Sequence, residues 1–262
     1  MNRRLITLLT DFGARDAFVG IMKGVILGIN PAATLVDLSH EVPPQDIMAG
    51  ALLLRSATAF FSPGTIHVAV VDPGVGSVRR ALLVETPRAC FIGPDNGLLS
   101  LAVPAEAVIR IVQLTNARYF LTPRSDTFHG RDVFASVAAH LSLDVPLEQF
   151  GPTVTTLQRL RLPAIEREGA TLVGRVIYID HFGNVITNVT EADLRPFSRG
   201  TLLVSIGRVQ IRGIATSYAA VGAGAPVALI NSWGMLEIAV RNGSAAQRFG
   251  MQLEQLVRLI PT

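Results

Sequence analysis

The sequence predicts an α/β amino-terminal domain with a mostly parallel sheet, followed by a smaller all-β, barrel-like carboxyl-terminal domain. Three observations predict this fold class. Apolar segments with strand and helix periodicity alternate through the first 150 residues, which is typical of βαβ units. From residue 170 onward, short strands are separated by Gly, Asn and Pro, a spacing typical of small barrels or sandwiches. The length of 262 residues suffices for one large domain or two modest ones.

The elements of the first domain follow from hydrophobic periodicity. Runs rich in β-branched and aliphatic residues predict strands at 5–10, 34–38, 66–71 and 81–85. Apolar residues at helical spacing predict helices at 18–29, 47–61 and 133–141. We expect Asp132 to be the N-cap of the last of these helices, which leaves His129 in the loop before it.

The second domain begins after a change in the character of the sequence. The segment 151–169 contains Pro, Arg and Glu without a clear period, and we interpret it as a linker between domains at 1–150 and 170–262. Short strands are then predicted at 171–179, 185–190, 201–206, 209–214, 227–230 and 236–240.

The composition excludes several classes of protein. Hydrophobic residues make up 49% of the chain and charged residues 16%, which is typical of a compact folded protein rather than a disordered one. No apolar run reaches the ~20 residues that a transmembrane helix needs. The amino-terminal segment 1–11 ends in Asp11, where a signal peptide would remain apolar. We therefore expect a cytoplasmic protein that is not bound to a membrane.

Charge and cysteine content narrow the chemistry further. The net charge is only +3, and no basic stripe interleaved with aromatic residues is present, which argues against nucleic-acid binding. The single cysteine, Cys90, lies among apolar residues and is expected to be a buried structural thiol. No HExxH motif, cysteine pair or GxSxG turn occurs, so the sequence predicts neither a metal site nor a serine nucleophile of the usual kind.

Three loops of the first domain carry polar residues that a simple connection does not require. Asp11 and Asp72 follow predicted strands, where ligands bind in open α/β sheets. Asp11 can accept hydrogen bonds from both hydroxyls of a ribose, or it can serve as a cap or turn residue. Arg79 can fold back towards Asp72, forming part of a site or only a surface ion pair. His129 lies beside a glycine before a helix and can point into a cleft, although a lone histidine is more often structural.

Two segments of the second domain are candidates for ligand contacts. The turn 180–184 offers a carboxylate (Asp180), an aromatic face (Phe182) and an amide (Asn184), a set that suits a purine or an amino acid. It can equally be an ordinary hairpin turn, since Gly-Asn favours one. The segment 231–240 contains Trp233, the only tryptophan, which can stack on a ring or serve in packing.

Seven short strings in this order resemble the SAM hydroxide adenosyltransferase family, which is similar to the S-adenosylmethionine (SAM)-dependent fluorinases and chlorinases. They are LLTDFG at 8–13, DLSHEVPPQD at 37–46, VVDPGVGSVRR at 70–80, GPDNGLLS at 93–100, TFHGRD at 127–132, DHFGNVITN at 180–188 and NSWGMLEIAVRNGSA at 231–245. Each string alone is modest, but together they cover nearly the whole chain.

The resemblance implies hydrolysis of SAM to adenosine and L-methionine, with SAM as substrate and no cofactor. It implies a homotrimer in which SAM lies between the amino-terminal domain of one chain and the carboxyl-terminal domain of its neighbour. Asp72, Arg79 and His129 match the triad associated with hydroxide attack, and Asp11 would hold the ribose hydroxyls. The remaining contacts to the adenine or the methionine end would come from Asp180, Phe182, Asn184, Ser232, Glu237 and the backbone near Val240.

The halide-using relatives differ from this sequence at Asp72, where they carry an aromatic residue. A carboxylate beside the reacting carbon would repel a halide and suits an oriented water, so the resemblance favours the water-using enzymes. Two alternatives stay open. One is a non-catalytic protein that binds SAM or adenosine, and the other is a metal-dependent nucleotide hydrolase built around Asp11, Asp37, His40 and Asp72.

Overall fold

The computed structural model describes residues 4–262. The first three residues, which belong to the segment that we interpreted as unlike a signal peptide, lie outside the described residues. The chain divides into two compact units, the first ending at Leu160 and the second beginning at Arg161, a boundary inside the segment 151–169. Within residues 4–262 no helix combines the length and the apolar character needed to span a membrane.

The first unit is an α/β unit in which helices and strands alternate through its first half. In chain order the elements are β1 (Leu5–Thr10), α1 (Phe18–Ile29), β2 (Thr34–Ser39), α2 (Ile47–Thr58), β3 (Thr65–Val70), β4 (Ala81–Glu85), β5 (Ala89–Pro94), β6 (Arg110–Gln113), α3 (Ser136–Ser142) and β7 (Thr153–Val154). A π-helical turn precedes α3, and short 3₁₀ turns lie at Ala105–Ala107, Ala117–Tyr119 and Leu147–Phe150.

One seven-stranded sheet organises this unit, in the order β2-β1-β3-β5-β4-β6-β7. Strands β2, β1, β3 and β5 are parallel, whereas β4, β6 and β7 pair antiparallel at the other end. All residues of β3 are buried, as expected of a central strand covered on both faces. Side chains of α1 and α3 pack on β1 and β3 in the main hydrophobic core, which includes Met22, Ile26 and Val137.

The start of the last helix of the first unit differs from the sequence prediction. A π-helical turn spans Gly130–Ala135, and His129, not Asp132, occupies the cap position before it. Asp132 is fully buried inside the first turn, where its carboxylate accepts hydrogen bonds from the Ser125 backbone N–H and from Arg131. The prediction of Asp132 as the N-cap is therefore wrong, because an N-cap residue precedes the helical turn that it caps.

The second unit is all-β apart from one short helix. Its elements are β8 (Glu166–Glu168), β9 (Thr171–Ile179), β10 (Val185–Thr190), β11 (Leu202–Ile206), β12 (Val209–Arg212), β13 (Pro226–Ile230), β14 (Met235–Val240), α4 (Ala245–Phe249) and β15 (Leu256–Pro261), with 3₁₀ turns at Arg199–Thr201 and Tyr218–Ala220.

Its strands form an antiparallel, barrel-like sheet in the order β12-β11-β15-β9-β10-β14-β13, with β8 paired to β9. The long strand β9 pairs with β15 through its first half and with β10 through its second half, so it carries the curvature of the sheet. A cluster of buried aliphatic side chains, including Val176, Val204 and Leu236, fills the interior. The predicted fold class, an α/β unit followed by a barrel-like β unit, is confirmed.

Candidate active site

The carboxyl ends of three neighbouring parallel strands bring the polar loops of the first unit together. Thr10, the last residue of β1, lies opposite Val70, the last residue of β3, and Leu9 lies opposite Ser39, the last residue of β2. The chain segments that leave these strands therefore start side by side. Asp11 follows β1 and Asp72 follows β3, so both lie at the same edge of the sheet.

Arg79 connects Asp72 to His129. Its Nε donates to Asp72 Oδ1 over 2.9 Å, and its Nη2 donates to Asp72 Oδ2. The same Nη2 lies 2.9 Å from His129 Nδ1. The Asp72 and Arg79 side chains are only 5% and 11% exposed, and the guanidinium lies 5.4 Å above the Phe134 ring. This is a largely buried bidentate pair, so it differs from the surface ion pair that the sequence left open.

The hydrogen bond from Arg79 determines the tautomer of His129. A guanidinium is always protonated and only donates, so Nδ1 must accept, and the proton of the neutral ring lies on Nε2. Burial and the charge of Arg79 lower the pKa of His129 below its ordinary value, which favours this neutral ring. Nε2 is a buried atom without a hydrogen-bond partner among residues 4–262. The ring therefore presents an unused N–H donor.

Two glycines allow the loops at this edge to approach closely. A Cβ on Gly76, which has φ +77°, would lie 2.6 Å from the Asp126 carbonyl oxygen, so the Asp72 loop passes directly against the loop before His129. A Cβ on Gly130 would lie 3.3 Å from the Phe12 ring, which places the backbone after His129 beside the residue that follows Asp11. The two loops and the end of β1 thus form one continuous surface.

Two residues that were not predicted from the sequence hold the Asp72 loop at both of its ends. Asn96 donates from Nδ2 to the Val71 carbonyl over 2.9 Å, just before Asp72. The Asp95 backbone N–H donates to the Arg80 carbonyl, just after Arg79, and the buried Asp95 carboxylate accepts from the Arg80 guanidinium. In the sequence they belonged to the string GPDNGLLS, which carried the family resemblance but no role for either residue.

Asp11 is held by the backbone of a neighbouring loop. Its Oδ2 accepts a hydrogen bond of 2.8 Å from the N–H of Gln45, a residue with φ +66°. Its other carboxylate oxygen, Oδ1, has no hydrogen-bond partner within residues 4–262. A carboxylate with one oxygen anchored and the other open can accept hydrogen bonds from a ligand.

In the second unit, Asp180 organises the turn between β9 and β10. Its Oδ1 accepts from the backbone N–H groups of Phe182 and Asn184 at 2.9 and 2.8 Å, and its Oδ2 accepts from Asn184 Nδ2 at 3.0 Å. The turn is thus a hairpin turn, one of the two interpretations that the sequence allowed. It leaves the Phe182 ring 73% exposed, an unusual position for a large aromatic side chain.

A cavity of ≈ 480 Å³ lies beside this turn. Phe182, Asn184 and Val240 line it, together with Tyr218 and Asp180. One aromatic face, one amide and a buried strand end within a space of this size suit a flat heterocyclic ring.

A second cavity of ≈ 380 Å³ is also lined by Asp180 and Tyr218, and Ser232, Trp233 and Glu237 are among its other lining residues. The buried Glu237 accepts a 2.7 Å hydrogen bond from the Tyr218 hydroxyl. Burial raises the pKa of Glu237 above its ordinary value. Tyr218, which lines both cavities, was not singled out in the sequence, because only its place in the fold brings it to Glu237.

Two further residues have roles that the structure clarifies. The Trp233 ring lies 5.5 Å from the Tyr178 ring while also lining the second cavity, so packing and exposure to the cavity coexist. Cys90 is half-buried, and burial raises the pKa of its thiol to about 11, which makes it a poor nucleophile.

In the part of the chain that the structure describes, no three His, Cys, Asp or Glu side chains form a group suited to a metal ion.

Comparisons with known proteins identify the family of the chain. The model of the SAM hydroxide adenosyltransferase N-terminal domain matches residues 6–151, and that of its C-terminal domain matches 174–258. The (R)-S-adenosyl-L-methionine hydrolase of Thermus thermophilus is 39% identical to this chain, and the alignment covers 98% of this chain and 100% of the relative. The fluorinase of an Actinoplanes species is 27% identical over 90% of each chain.

A solved structure is similar over almost the entire chain. The crystal structure of an uncharacterized conserved protein from Thermotoga maritima has a TM-score of 0.90 at 34% identity, covering 97% of this chain and 99% of that one. Both domain models match in their expected order, and together they account for most of the residues. The chain therefore belongs to the SAM hydroxide adenosyltransferase family.

Proposed function

We propose that this chain hydrolyses S-adenosyl-L-methionine to adenosine and L-methionine by in-line attack of water on the ribose 5′ carbon. The observation that carries the proposal is the connected, largely buried set of Asp72, Arg79 and His129 at the sheet edge that also holds Asp11. The name of the Thermus relative supports the reaction, and the name of the family supports adenosyl transfer to hydroxide.

The three side chains of this set supply both kinds of hydrogen bond that a reacting water needs. His129 donates from Nε2 to the water oxygen, since Nδ1 is occupied by Arg79. Asp72 accepts a hydrogen bond from the water through lone pairs that Arg79 leaves free. Arg79 fixes the orientation of both partners, so the water oxygen is directed rather than free to rotate.

Asp72 is the member of the set that can accept the proton. Arg79 only donates, and neutral His129 already carries its proton on Nε2 while Nδ1 accepts from Arg79. As the bond from oxygen to the 5′ carbon forms, the carbon–sulfur bond breaks and its electron pair returns to sulfur, giving neutral methionine thioether. The water proton passes to Asp72 and then to solvent. No acid is needed at sulfur, because a sulfonium is already a good leaving group.

The magnitudes are sufficient for a useful enzyme. Positioned proton transfer typically contributes about 10²–10⁴-fold to a rate. Holding water, carbon and sulfur in line contributes up to about 7–11 kcal/mol. Alignment therefore lowers the barrier more than proton transfer does, and it depends on fixing the nucleoside as well as the water.

The second unit supplies contacts that fix the two ends of the substrate. We assign the adenine to the cavity beside Phe182, Asn184 and the Val240 backbone. The methionine end is assigned to the cavity with Ser232 and Glu237, and Asp180 lines both. Carboxylates at this position favour the cationic ammonium and sulfonium groups of the substrate.

A single experiment tests the reaction and its alternatives. SAM is incubated with the protein in oxygen-18 water, with and without a chelator, and the products are analysed by mass spectrometry. We expect methionine and adenosine with the label in its 5′ hydroxyl, in equal yield with chelator. Intact SAM after incubation with stoichiometric protein would indicate a binding protein, and loss of cleavage with chelator would indicate metal-dependent hydrolysis.

The configuration at sulfur defines the substrate more closely. The sulfonium of SAM is a stereocentre, because its lone pair and three substituents all differ, and the name of the Thermus relative specifies the (R) form. We propose the same preference here. Separate incubation with the two sulfonium epimers should show cleavage of the (R) form at a higher kcat/KM, whereas equal values would refute the preference.

The site residues also suggest an assembly. We propose a homotrimer in which the first unit of one subunit and the second unit of its neighbour contact one SAM. The exposed face of α1 supports self-association, because it carries Gly20, Ile21, Gly24 and Leu27 without a charged side chain. Glycines on an exposed helix face allow another helix to approach closely.

Mixed subunits test this assembly. Asp72→Ala and Asp180→Ala chains, each inactive in its own trimer, are co-expressed with different tags. Random mixing would restore about a quarter of the sites if each site uses two subunits. Sites within one subunit would stay inactive in every mixture, and light scattering gives the oligomeric state directly.

A further inference from the structure

The segment DLSHEVPPQD has a place in the structure that the proposed chemistry does not use. Its residues lie against the loop that carries Asp11. The backbone N–H of Gly13 donates to the His40 carbonyl over 2.7 Å, and the Gln45 N–H donates to Asp11 Oδ2 over 2.8 Å. Two hydrogen bonds therefore join this segment to the Asp11 loop, one at the Asp11 carboxylate and one at the backbone that follows it.

A chain of side-chain contacts runs beneath the same loop. Thr10, which directly precedes Asp11, is fully buried, and its hydroxyl lies 2.8 Å from His40 Nδ1. The Thr10 hydroxyl oxygen also accepts from the Phe12 backbone N–H at 3.2 Å. His40 thus contacts the residue before Asp11 through its ring, and through that residue the backbone after it.

The far side of the His40 ring is fixed in turn. Nε2 lies 3.0 Å from Asp37 Oδ1, and the other oxygen of Asp37 accepts from Lys23 Nζ at 2.6 Å. Burial acts to raise the pKa of Asp37, but Lys23 and His40 outweigh it and hold that pKa below its ordinary value. Asp37 therefore stays ionised and lies against the Nε2 side of the ring, while Nδ1 lies at hydrogen-bond distance from Thr10. The contact with Asp37 is electrostatic, because Nε2 is a buried nitrogen without a hydrogen-bond partner among residues 4–262.

The backbone of Gln45, which donates to Asp11, adopts an unfavourable conformation. Its φ of +66° lies in the left-handed region, which is unfavourable for a residue other than glycine. That conformation aims its N–H at Asp11. Strain of this kind persists where surrounding contacts hold the backbone in place, and the hydrogen bond to Asp11 is one such contact.

We propose that His40, oriented by Asp37, is a positioning residue that holds the Asp11 carboxylate in place for the ribose hydroxyls of the substrate. The inference rests on the proposed function only in taking the ribose as the ligand of Asp11. His40 acts through Thr10 and does not itself touch the ligand. Its removal should loosen the Asp11 loop and weaken binding of the ribose, while the adenine contacts in the second unit are unchanged.

The test measures binding, not turnover, by titration calorimetry with adenosine and with 2′,3′-dideoxyadenosine. Thr10→Val and His40→Leu should weaken adenosine binding about tenfold, the loss expected when a charged hydrogen bond is misplaced. Binding of the dideoxy compound should change less than about twofold, because it lacks the groups that Asp11 holds. Thr10→Ser keeps the hydroxyl and should bind both ligands like the parent protein.

Two controls separate positioning from general damage. His140→Leu removes a histidine of the same unit that contacts Tyr119, away from these loops, and should leave both affinities unchanged. In an Asp11→Ala background, His40→Leu should cause no further loss of adenosine binding, because its partner in function is gone.

The outcomes are distinct. Equal weakening of both ligands by Thr10→Val and His40→Leu, or an additive loss in the Asp11→Ala background, would overturn the inference. If the parent protein binds adenosine but leaves SAM intact, the proposed reaction fails while the affinity ratios still decide the role of His40. If removal of the ribose hydroxyls does not weaken binding to the parent protein, Asp11 does not hold the ribose, and the positioning role is refuted as well.

Discussion

Replacing Asp72 with Asn removes a negative charge from the candidate active site while keeping the size and shape of the side chain. In the parent protein both carboxylate oxygens accept from Arg79, and the side chain is 5% exposed. The amide of Asn keeps one acceptor for Arg79, but its NH₂ group faces a donor on the other side. The substitution therefore leaves Arg79 only partly paired and takes away the proton acceptor.

Both consequences have a calculable size. Loss of a positioned proton acceptor should lower kcat about 10²–10⁴-fold, which corresponds to roughly 3–5 kcal/mol in the activation barrier. Because the substrate contacts assigned to the second unit are unaffected, the Kd for SAM should change less than about threefold. An unsatisfied hydrogen bond of a mostly buried charge should lower the free energy of unfolding by about 1–3 kcal/mol.

The assay combines single-turnover cleavage of SAM with calorimetric binding of SAM and thermal unfolding. Asp144→Asn is the matched control, since it also removes a carboxylate that pairs with an arginine, Arg4, but on an exposed part of the first unit. Asp144 has φ +64°, which Asn tolerates well, so its kcat should match the parent protein. An unchanged kcat in Asp72→Asn, or a raised Kd with normal kcat, would refute the role of Asp72 as proton acceptor.

Four further predictions follow, two for His129 and one each for Phe182 and Gly76. His129 must stay neutral to accept a hydrogen bond from Arg79, and burial and the charge of Arg79 lower its pKa. The acid limb of a pH profile of kcat should therefore have a midpoint below 6.5. A midpoint above 6.5 would contradict the assigned tautomer. Because the ring binds a proton more readily in the unfolded chain than in the folded one, His129 should lower the free energy of unfolding as the pH falls below about 6.5. Denaturant titrations of the parent protein and of His129→Gln over this pH range would measure the difference. Phe182→Ala should leave the melting temperature unchanged, because the ring is 73% exposed, yet weaken adenosine binding by the ~1–3 kcal/mol of a base–aromatic stack; equal affinities would exclude the ring from the site. Gly76→Ala places a Cβ 2.6 Å from the Asp126 carbonyl at φ +77°, and it should destabilise the first unit by about 1–3 kcal/mol in denaturant unfolding, whereas an unchanged midpoint would contradict the close approach of the two loops.

Hydrophobic periodicity was sufficient to predict the first helix and several strands with their observed bounds. The helix Phe18–Ile29 and the strands Leu5–Thr10 and Thr171–Ile179 are examples. Their apolar patterns are long enough to outweigh local irregularities. The strands Ala89–Pro94 and Leu256–Pro261 were not predicted, because short apolar runs near Pro and Arg give an ambiguous signal.

The candidate site was predictable where it depended on the ends of parallel strands. Asp11 and Asp72 lie at one edge because parallel strands end together, a rule that needs no coordinates. The roles of Asp95 and Asn96 were not predictable, since both donate or accept across loops distant in sequence. Asp132 was misassigned because a π-helical turn at a helix start has no clear sequence pattern, and it moves the cap back to His129.

The loop from Asp72 to Arg79 has a consequence for how new nucleophiles can arise in this fold. The acid and its arginine are seven residues apart on one segment, and both ends of that segment are tied to the strand that ends at Pro94 through Asp95 and Asn96. The segment between these two ties is therefore a unit whose sequence can be replaced while its ends stay attached to the sheet. Grafting a different sequence between the two ties would alter the attacking group while keeping the nucleoside contacts, provided that the graft retains a glycine where the segment passes against Asp126. The choice of nucleophile can then evolve, or be engineered, within one scaffold.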